Sequence, residues 1–208
     1  MTQTAAPLPA EKHAEQVPLS RGFGWMLVSW GLLGLLASMT LAIDKVKLLQ
    51  DPSYSPSCNF NPVLSCGSVM ATDQASVFGF PNPLIGIASF AAVLTIGVLV
   101  AGRVLMPRWV LTGLAVGSLL GSVFVHWLAY QSLYSIGALC PWCMVVWAVT
   151  IPTTVWAVLL TLRSYAPDGS NRLVEGLWDW RYALVVLWYV LVVVLALVRF
   201  WDYWQTLL

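Results

Sequence analysis

The feature that most constrains this chain is a run of 54 residues, 109–162, that contains no Asp, Glu, Lys or Arg and only one histidine, His126. A helix needs about 20 apolar residues to cross a bilayer, because each residue advances it by only about 1.5 Å. The run is too long for one crossing and about right for two, and residues 137–141, which include Gly137 and Pro141, supply the break between them. Two membrane-spanning helices joined by a tight connection are therefore predicted here.

Three other segments have the length and apolarity of a membrane span. Residues 22–43 carry no charge between Arg21 and Asp44. The next span should begin near Pro83, since the residue before a proline avoids the helical region, and end near Gly102. The last covers about residues 182–198. Aromatic side chains typical of a membrane interface flank this last span: Trp178, Trp180, Trp201, Tyr203 and Trp204.

The composition supports this interpretation. Hydrophobic residues make up 59% of the chain and charged residues only 9%, whereas soluble domains carry charge on roughly 25% of their residues. A soluble enzyme and a disordered protein are excluded. A nucleic-acid partner is also excluded, because it would require a basic surface and the net charge is only +1. The predicted fold class is an all-α integral membrane protein, a four-helix bundle plus a fifth transmembrane helix.

The positions of Lys and Arg predict the orientation, because cytoplasmic loops are enriched in them. With a cytoplasmic N-terminus, seven basic residues fall inside: Lys12, Arg21, Arg103, Arg108, Arg163, Arg172 and Arg181. Three fall outside: Lys45, Lys47 and Arg199. We therefore expect a multi-pass protein of the inner or plasma membrane, with the N-terminus in the cytoplasm and the C-terminus outside.

This orientation divides the chain into four parts. Residues 1–20 form a cytoplasmic tail, residues 21–163 the four-helix core, residues 164–180 a cytoplasmic loop, and residues 181–208 the fifth helix and the outer C-terminus. The core contains one long outer loop, residues 44–82, in which residues 67–78 can form a short surface helix. In the third span, small residues recur every four positions, and we interpret them as sites of close helix packing: Gly113, Gly117 and Gly121.

All four cysteines lie on the outer side in this arrangement, where disulfides persist. Cys58 and Cys66 are in the outer loop, and Cys140 and Cys143 form a C-x-x-C motif at the start of the fourth span. In such a motif one thiol can attack a disulfide, and the other can resolve the mixed disulfide that results. The N-terminus of a helix lowers the pKa of a nearby cysteine, and we expect this effect at Cys143. Two pairs on one face allow an electron relay. Two structural disulfides or a four-cysteine zinc site are the alternatives, and an oxidising compartment disfavours zinc.

Three motifs in this order resemble a known family. They are NPVLSCGS at residues 61–68, FGFPNPLIGI at residues 78–87 and CPWC at residues 140–143. Together they are similar to bacterial homologues of vitamin K epoxide reductase (VKOR), over about residues 25–162. The other bacterial family of membrane disulfide oxidases, the Dsb type, has its C-x-x-C motif in the first outer loop, so the order here is reversed.

The resemblance implies a role for each cysteine. Cys143 would pass electrons to a quinone held inside the bundle, and Cys140 would be its partner. Cys66 would form a transient disulfide with Cys140, and Cys58 would meet the thiol of a soluble partner. Each step is the attack of a thiolate on a disulfide.

The resemblance also implies quinone-binding residues. Asn82 matches an asparagine that hydrogen-bonds the quinone ring, and a neutral amide is tolerable at that depth. Trp147 stands where vertebrate members have a tyrosine that helps to bind coumarins, so inhibitor sensitivity is in doubt. Met70, Phe80 and Thr72 are weaker candidates, with apolar packing or a local hydrogen bond as the alternative. His126 lies mid-span, too far from Cys140 to deliver a proton directly.

The function expected from this resemblance is a thiol–disulfide:quinone oxidoreductase that re-oxidises an envelope disulfide oxidase. Its acceptor would be menaquinone or ubiquinone, with no metal. Its partner would be a separate, DsbA-like thioredoxin-fold protein, since no thioredoxin-like domain follows the fifth span as it does in many bacterial members. The alternatives are a main role in reducing quinone epoxide, or a non-catalytic membrane protein with static disulfides.

Overall fold

A computed structural model describes residues 16–166 and 171–206, most of which are helical. Five helices are long and apolar enough to cross a membrane: α1 (Arg21–Gln50), α3 (Pro83–Ala101), α4 (Arg108–Gln131), α5 (Pro141–Tyr165) and α7 (Arg181–Arg199). The shorter helices are α2 (Cys66–Met70), α6 (Arg172–Asp179) and α8 (Trp201–Gln205). The all-α membrane fold with five spans and a short helix in the first long loop is confirmed.

The helix ends follow from local chemistry. Pro83 and Pro141 begin α3 and α5, where a missing N–H costs nothing and the fixed φ suits a helix. A π-helical turn extends α4 to Ile136, and Gly137 then stops the chain with φ +71°, a left-handed conformation that favours glycine. The end of α1 differs from the prediction. It continues to Gln50, so that Asp44 lies within the helix and not at its end.

The predicted surface helix of residues 67–78 is shorter and is divided. Residues Cys66–Met70 form α2, and Asp73–Ser76 form a single 3₁₀ turn. Gly79, with φ +80°, follows this turn. The chain therefore changes direction twice before α3, and this places the segment across one end of the bundle, the end that carries the cysteines.

The four core helices form a bundle that is open on one side. Helix α1 packs along α3 and against α5, and α4 packs against α5, whereas α3 and α4 do not pack along each other. Helix α7 lies at the edge against α5, and only Val185 on it is buried. Two hydrogen bonds hold α7: Trp188 Nε1 donates to His126 Nε2 (2.6 Å), and the Tyr189 hydroxyl donates to the Ala148 carbonyl (2.5 Å).

The structure corrects the interpretation of the glycines in α4. A Cβ added at Gly113 or Gly117 would meet nothing within 4 Å, so these residues do not mediate helix packing. The close approach is between α1 and α3. A Cβ added at Gly31 would lie 2.7 Å from the Leu94 backbone nitrogen, and one at Gly97 would lie 2.7 Å from the Val28 nitrogen.

This difference predicts opposite effects of the same substitution. Gly31→Ala should destabilise the protein by about 1–3 kcal/mol, because a methyl group would be forced against the backbone of α3. Gly113→Ala should be neutral or stabilising, because alanine favours a helix over glycine by up to about 1 kcal/mol. Thermal unfolding in detergent would measure both. Equal melting temperatures for the two variants would contradict the close contact of α1 and α3.

The two segments expected to be cytoplasmic contain more structure than a tail and a loop. Strand β1 (Gln16–Val17) pairs antiparallel with β2 (Met106–Pro107), which ties the start of α1 to the α3–α4 connection. Helix α6 lies within residues 164–180 and is joined to α5 by an ion pair between Arg163 and Glu175 (2.9 Å). Residues 1–15 of the expected tail, 167–170 of the expected loop and 207–208 at the C-terminus lie outside the described residues.

Candidate functional site

Backbone hydrogen bonds hold the two cysteine segments together. The Leu139 N–H donates to the Val63 carbonyl (2.7 Å), and the Ser65 N–H donates to the Leu139 carbonyl (2.9 Å). These bonds make a short parallel bridge between the loop and the α4–α5 connection. The bridge pairs Leu64, two residues before Cys66, with Leu139, one residue before Cys140, so it brings the two cysteines side by side.

The sulfur atoms form a compact buried cluster. Cys58 and Cys66 are joined in a disulfide, and Cys140 and Cys143 are free thiols. The Cys140 thiol contacts Cys66 Sγ at 3.4 Å. Cys58, Cys66 and Cys140 are each at most 3% exposed. A thiol in contact with a disulfide sulfur, away from water, is the starting arrangement for thiol–disulfide exchange.

The N-terminus of α5 acts on Cys140 and not on Cys143, where the sequence predicts it. Cys140 is the N-cap of α5, and its sulfur accepts the Cys143 backbone N–H at 3.3 Å. A hydrogen bond from the Cys143 thiol, with the backbone N–H groups of Cys143 and Trp142, lowers the pKa of Cys140 despite its burial. The sulfur that faces the loop disulfide is therefore the one best stabilised as a thiolate.

A cavity of about 520 Å³ lies beside this cluster, between α1, α3, α4 and α5. Cys143 lines it and Cys140 does not. The C-x-x-C motif thus has one sulfur directed toward the loop disulfide and the other toward the cavity. Most of the cavity wall is aliphatic, aromatic or glycine, so a ligand with a large apolar surface fits it.

The cavity opens to the outside between α3 and α4, because these helices do not pack along each other. Ser89 and Ala92 of α3 and Gly113 and Gly117 of α4 line the cavity and are also exposed. The glycines of α4 therefore widen the cavity and its opening. In a bilayer this opening would face the acyl chains.

Three of the predicted quinone-binding residues lie in the cavity wall. Met70 and Trp147 are both 4% exposed, and Trp147 follows Cys143 by one helical turn. Asn82 also lines the cavity, and its amide holds the loop: Nδ2 donates to the Gln74 carbonyl (2.7 Å), and Oδ1 accepts the Val77 N–H (3.2 Å). Since an amide nitrogen carries two protons, one N–H remains for a ligand.

The other two predicted residues lie outside the cavity wall. Thr72 donates its hydroxyl proton to the Val69 carbonyl (2.8 Å), a local bond that closes α2. Phe80 stacks on Phe78 at a centroid distance of 6.2 Å and is 43% exposed. Neither Thr72 nor Phe80 lines the cavity. The structure brings neither of them to Cys143.

Two features of the site do not follow from the sequence. The three glycines of α4 have the spacing of packing residues, and only the fold shows that no residue lies opposite Gly113 and Gly117, whereas a Cβ at Gly121 would lie 3.8 Å from Thr150 Cγ2 of α5. Asp44 has the sequence position of an interfacial marker, but it is 5% exposed and directed into the protein. The one sequence signal for its burial is an acidic residue within helical reach of the apolar Leu41 and Leu48. Among the described residues, no three His, Cys, Asp or Glu side chains converge as metal ligands.

Comparison with known proteins identifies one family. A model of the vitamin K epoxide reductase family matches residues 25–158, well over half of the chain. The matched region contains all four cysteines, most of the cavity wall and four of the five membrane-length helices. A comparison with curated proteins finds no significant match.

Proposed function

The chain belongs to the vitamin K epoxide reductase family, and we propose that this protein is a membrane oxidase that transfers electrons from thiols outside the cytoplasm to a quinone. Membership supports the general role of a membrane thiol–disulfide oxidoreductase linked to quinones. The contact between Cys140 and Cys66 is the observation that carries the more specific proposal. It joins a loop disulfide to a thiol pair that reaches a cavity.

The proposed path has two exchanges. A substrate dithiol reduces the Cys58–Cys66 disulfide, and the loop thiols then reduce a Cys140–Cys143 disulfide through a bond between Cys66 and Cys140. The described state, with the loop pair oxidised and the inner pair reduced, follows this second exchange. Two electrons are then held next to the cavity.

The partner would be a DsbA-like thioredoxin-fold protein that meets Cys58. Burial of Cys58, at 3% exposed, means that this sulfur must be uncovered before a partner's thiol can reach it. Residues 51–58 are the segment that can move, because they are not helical and precede the hydrogen bonds that hold residues 59–65 to one another and to Leu139. Docking of the partner and opening of this segment are therefore expected to be one step.

The cavity residues fit a quinone as electron acceptor. A quinone accepts two electrons and two protons, and its ring is flat and largely apolar. Trp147 and Met70 supply apolar surfaces, Asn82 has one N–H to donate, and the Cys143 thiol carries a proton as well as the electrons. Among the described residues, Lys45 is the one charged side chain that lines the cavity, and its Nζ donates to the Met70 carbonyl (2.6 Å).

The cysteine end of the bundle would face the outside. The basic residues favour this orientation, and disulfide exchange requires an oxidising compartment. The protein would then support disulfide formation in secreted and envelope proteins. Labelling of a cysteine introduced at Ser53, an exposed loop position, with an impermeant maleimide in intact cells would test the orientation directly.

The proposed function predicts a fixed stoichiometry. Fully reduced protein in detergent, mixed without oxygen with a short-chain quinone, should lose two thiols for each quinone reduced, because each disulfide formed releases two electrons. Quinone absorbance and a thiol count would measure both. Thiols that stay reduced in the presence of quinone, or a loop disulfide that never opens, would leave a structural protein with static disulfides as the better interpretation.

A further inference from the structure

Asp44 is a buried carboxylate that the proposed electron path does not use. It is 5% exposed and lies in the last two turns of α1. Its Oδ1 accepts a hydrogen bond from the Tyr54 hydroxyl (2.9 Å), whereas Oδ2 is fully buried and has no hydrogen-bond partner among the described residues. An unsatisfied buried carboxylate oxygen costs stability, so its presence requires an explanation.

The position of Asp44 relates it to the sulfur cluster. Leu41 and Leu48, three residues before it and four after it, both pack against the buried cysteines. Positions separated by three or four residues share one face of a helix, so Asp44 lies on the face of α1 that covers the sulfurs. The hydrogen bond of the Cys143 thiol lowers the pKa of Cys140, whereas burial and the charge of Asp44 raise it. The charge of Asp44 therefore acts on the sulfur cluster.

Among the described residues, Asp44 is the one carboxylate on the face of α1 that covers the sulfurs. On α1, Lys45 donates to the Met70 carbonyl, and Lys47 lies over the Tyr54 ring at 5.3 Å from its centroid. Neither lysine forms an ion pair with Asp44. From the loop the facing group is Tyr54, and from α2 and α5 the facing groups are the cysteines themselves. Asp51 is exposed and bonded to Ser53.

We propose that Asp44 is the proton acceptor for electron transfer from the loop cysteines to the inner pair. This inference rests on the proposed function, because it concerns the exchange between the two pairs. The buried, unpartnered Oδ2 receives the proton of Cys66 when that sulfur attacks. A base is needed inside the protein since the cluster excludes water and a neutral thiol is a poor nucleophile.

The step balances as follows. Cys66 gives its proton to Asp44, and its sulfur attacks Cys140, so that a Cys66–Cys140 bond forms and the Cys140–Cys143 bond breaks, with the electron pair going to Cys143. Cys58 then attacks Cys66, and Cys140 leaves as a thiolate that takes the proton held by Asp44. The proton of Cys58 neutralises the Cys143 thiolate. The loop pair is oxidised, the inner pair is reduced, and Asp44 is again a carboxylate.

The test follows this exchange without quinone. Fully oxidised protein is mixed with excess dithiothreitol, quenched with acid and alkylated, and mass spectrometry measures how fast thiols at Cys140 and Cys143 follow those of the loop. Asp44→Asn should slow this transfer by about 30-fold at pH 7. The deficit should fall below about threefold at pH 9, because the loop thiols are uncovered when dithiothreitol reduces them, and free thiols with a pKa of about 8.5 then ionise in solvent without an internal base. A deficit that is equal at both pH values, or no deficit, would overturn the proposal.

Two controls complete the test. Asp51→Asn makes the same substitution on an exposed carboxylate that does not face the sulfurs, and should change the rate less than about twofold. If Asp44→Asn fails to fold, the solvent deuterium isotope effect on the wild-type transfer is measured instead. An effect of about twofold would support the proposal, and its absence would overturn it. Because quinone is omitted, a protein that does not reduce quinone would refute the proposed function and leave this measurement intact.

Discussion

Replacing Cys143 with alanine should abolish thiol-dependent quinone reduction, with a loss of roughly three orders of magnitude or more, because Cys143 is the one cysteine of the described chain that lines the cavity. The same variant should accumulate a disulfide between Cys66 and Cys140. Cys140 can still attack the loop disulfide at 3.4 Å, but no second thiol in the motif is left to resolve the product. Quinone absorbance would measure the first effect, and mass spectrometry of unreduced peptides the second.

The substitution should leave the fold intact. Alanine at position 143 keeps the backbone N–H that donates to Cys140 Sγ at the start of α5. The removed side chain belongs to the first turn of α5 and not to the middle of the helix. Cys140→Ala is the informative comparison, since it should also abolish quinone reduction but trap no disulfide with Cys66. Quinone reduction that persists in the Cys143→Ala protein would show that Cys143 is not the electron exit.

Gly117→Phe should lower kcat/KM for quinone by about 100-fold while leaving the melting temperature within a few degrees. A Cβ at this position meets nothing within 4 Å, and Gly117 lines the cavity, so a larger side chain has the cavity itself to occupy. A phenyl group would occupy space that the quinone needs, and a loss of about 100-fold corresponds to about 2.7 kcal/mol of lost binding. Steady-state kinetics over a range of short-chain quinone concentrations would measure the effect.

Val116→Phe is the matched control for this prediction. Val116 is the preceding residue on α4, is 53% exposed and does not line the cavity, so the same phenyl group would be placed outside it. It should leave kcat/KM within about twofold. The Gly117→Phe protein should still exchange disulfides between its cysteine pairs in the absence of quinone. Loss of that exchange would mean that the substitution had disturbed the bundle and not the quinone site.

The sequence predicts the elements of this fold well and their contacts poorly. Prolines 83 and 141 and Gly137 place helix boundaries within a few residues, because they act locally, whereas the uncharged run of residues 22–43 does not give the end of α1 at Gln50. The packing of α1 on α3, and the gap beside α4, depend on which helix faces which. Glycine spacing is a similar signal in both places, so the pattern predicts packing at Gly113 and does not single out Gly31.

The candidate site shows the same division. Cysteine spacing and the family motifs predict that Cys66, Cys140 and Cys143 act together, and the structure places them in one cluster. The sequence predicts that the N-terminus of α5 stabilises the thiolate of Cys143 and not that of Cys140. Which cysteine is stabilised depends on which residue is the N-cap, and the two cysteines are only about one helical turn apart. The burial of Asp44 depends on α1 continuing beyond its apolar run, and composition alone argues against it.

In the proposed function, the gap between α3 and α4 would determine how the quinone reaches the protein. A cavity that opens toward the acyl chains would be supplied by lateral diffusion within the bilayer, so the relevant substrate level would be the mole fraction of quinone in lipid and not its amount per volume of buffer. Dilution of the reaction mixture at constant lipid-to-protein ratio should then leave the turnover rate unchanged, whereas addition of quinone-free lipid should reduce it. The enzyme would in this way respond to the redox state of the membrane quinone pool, and the rate of disulfide formation would follow respiration.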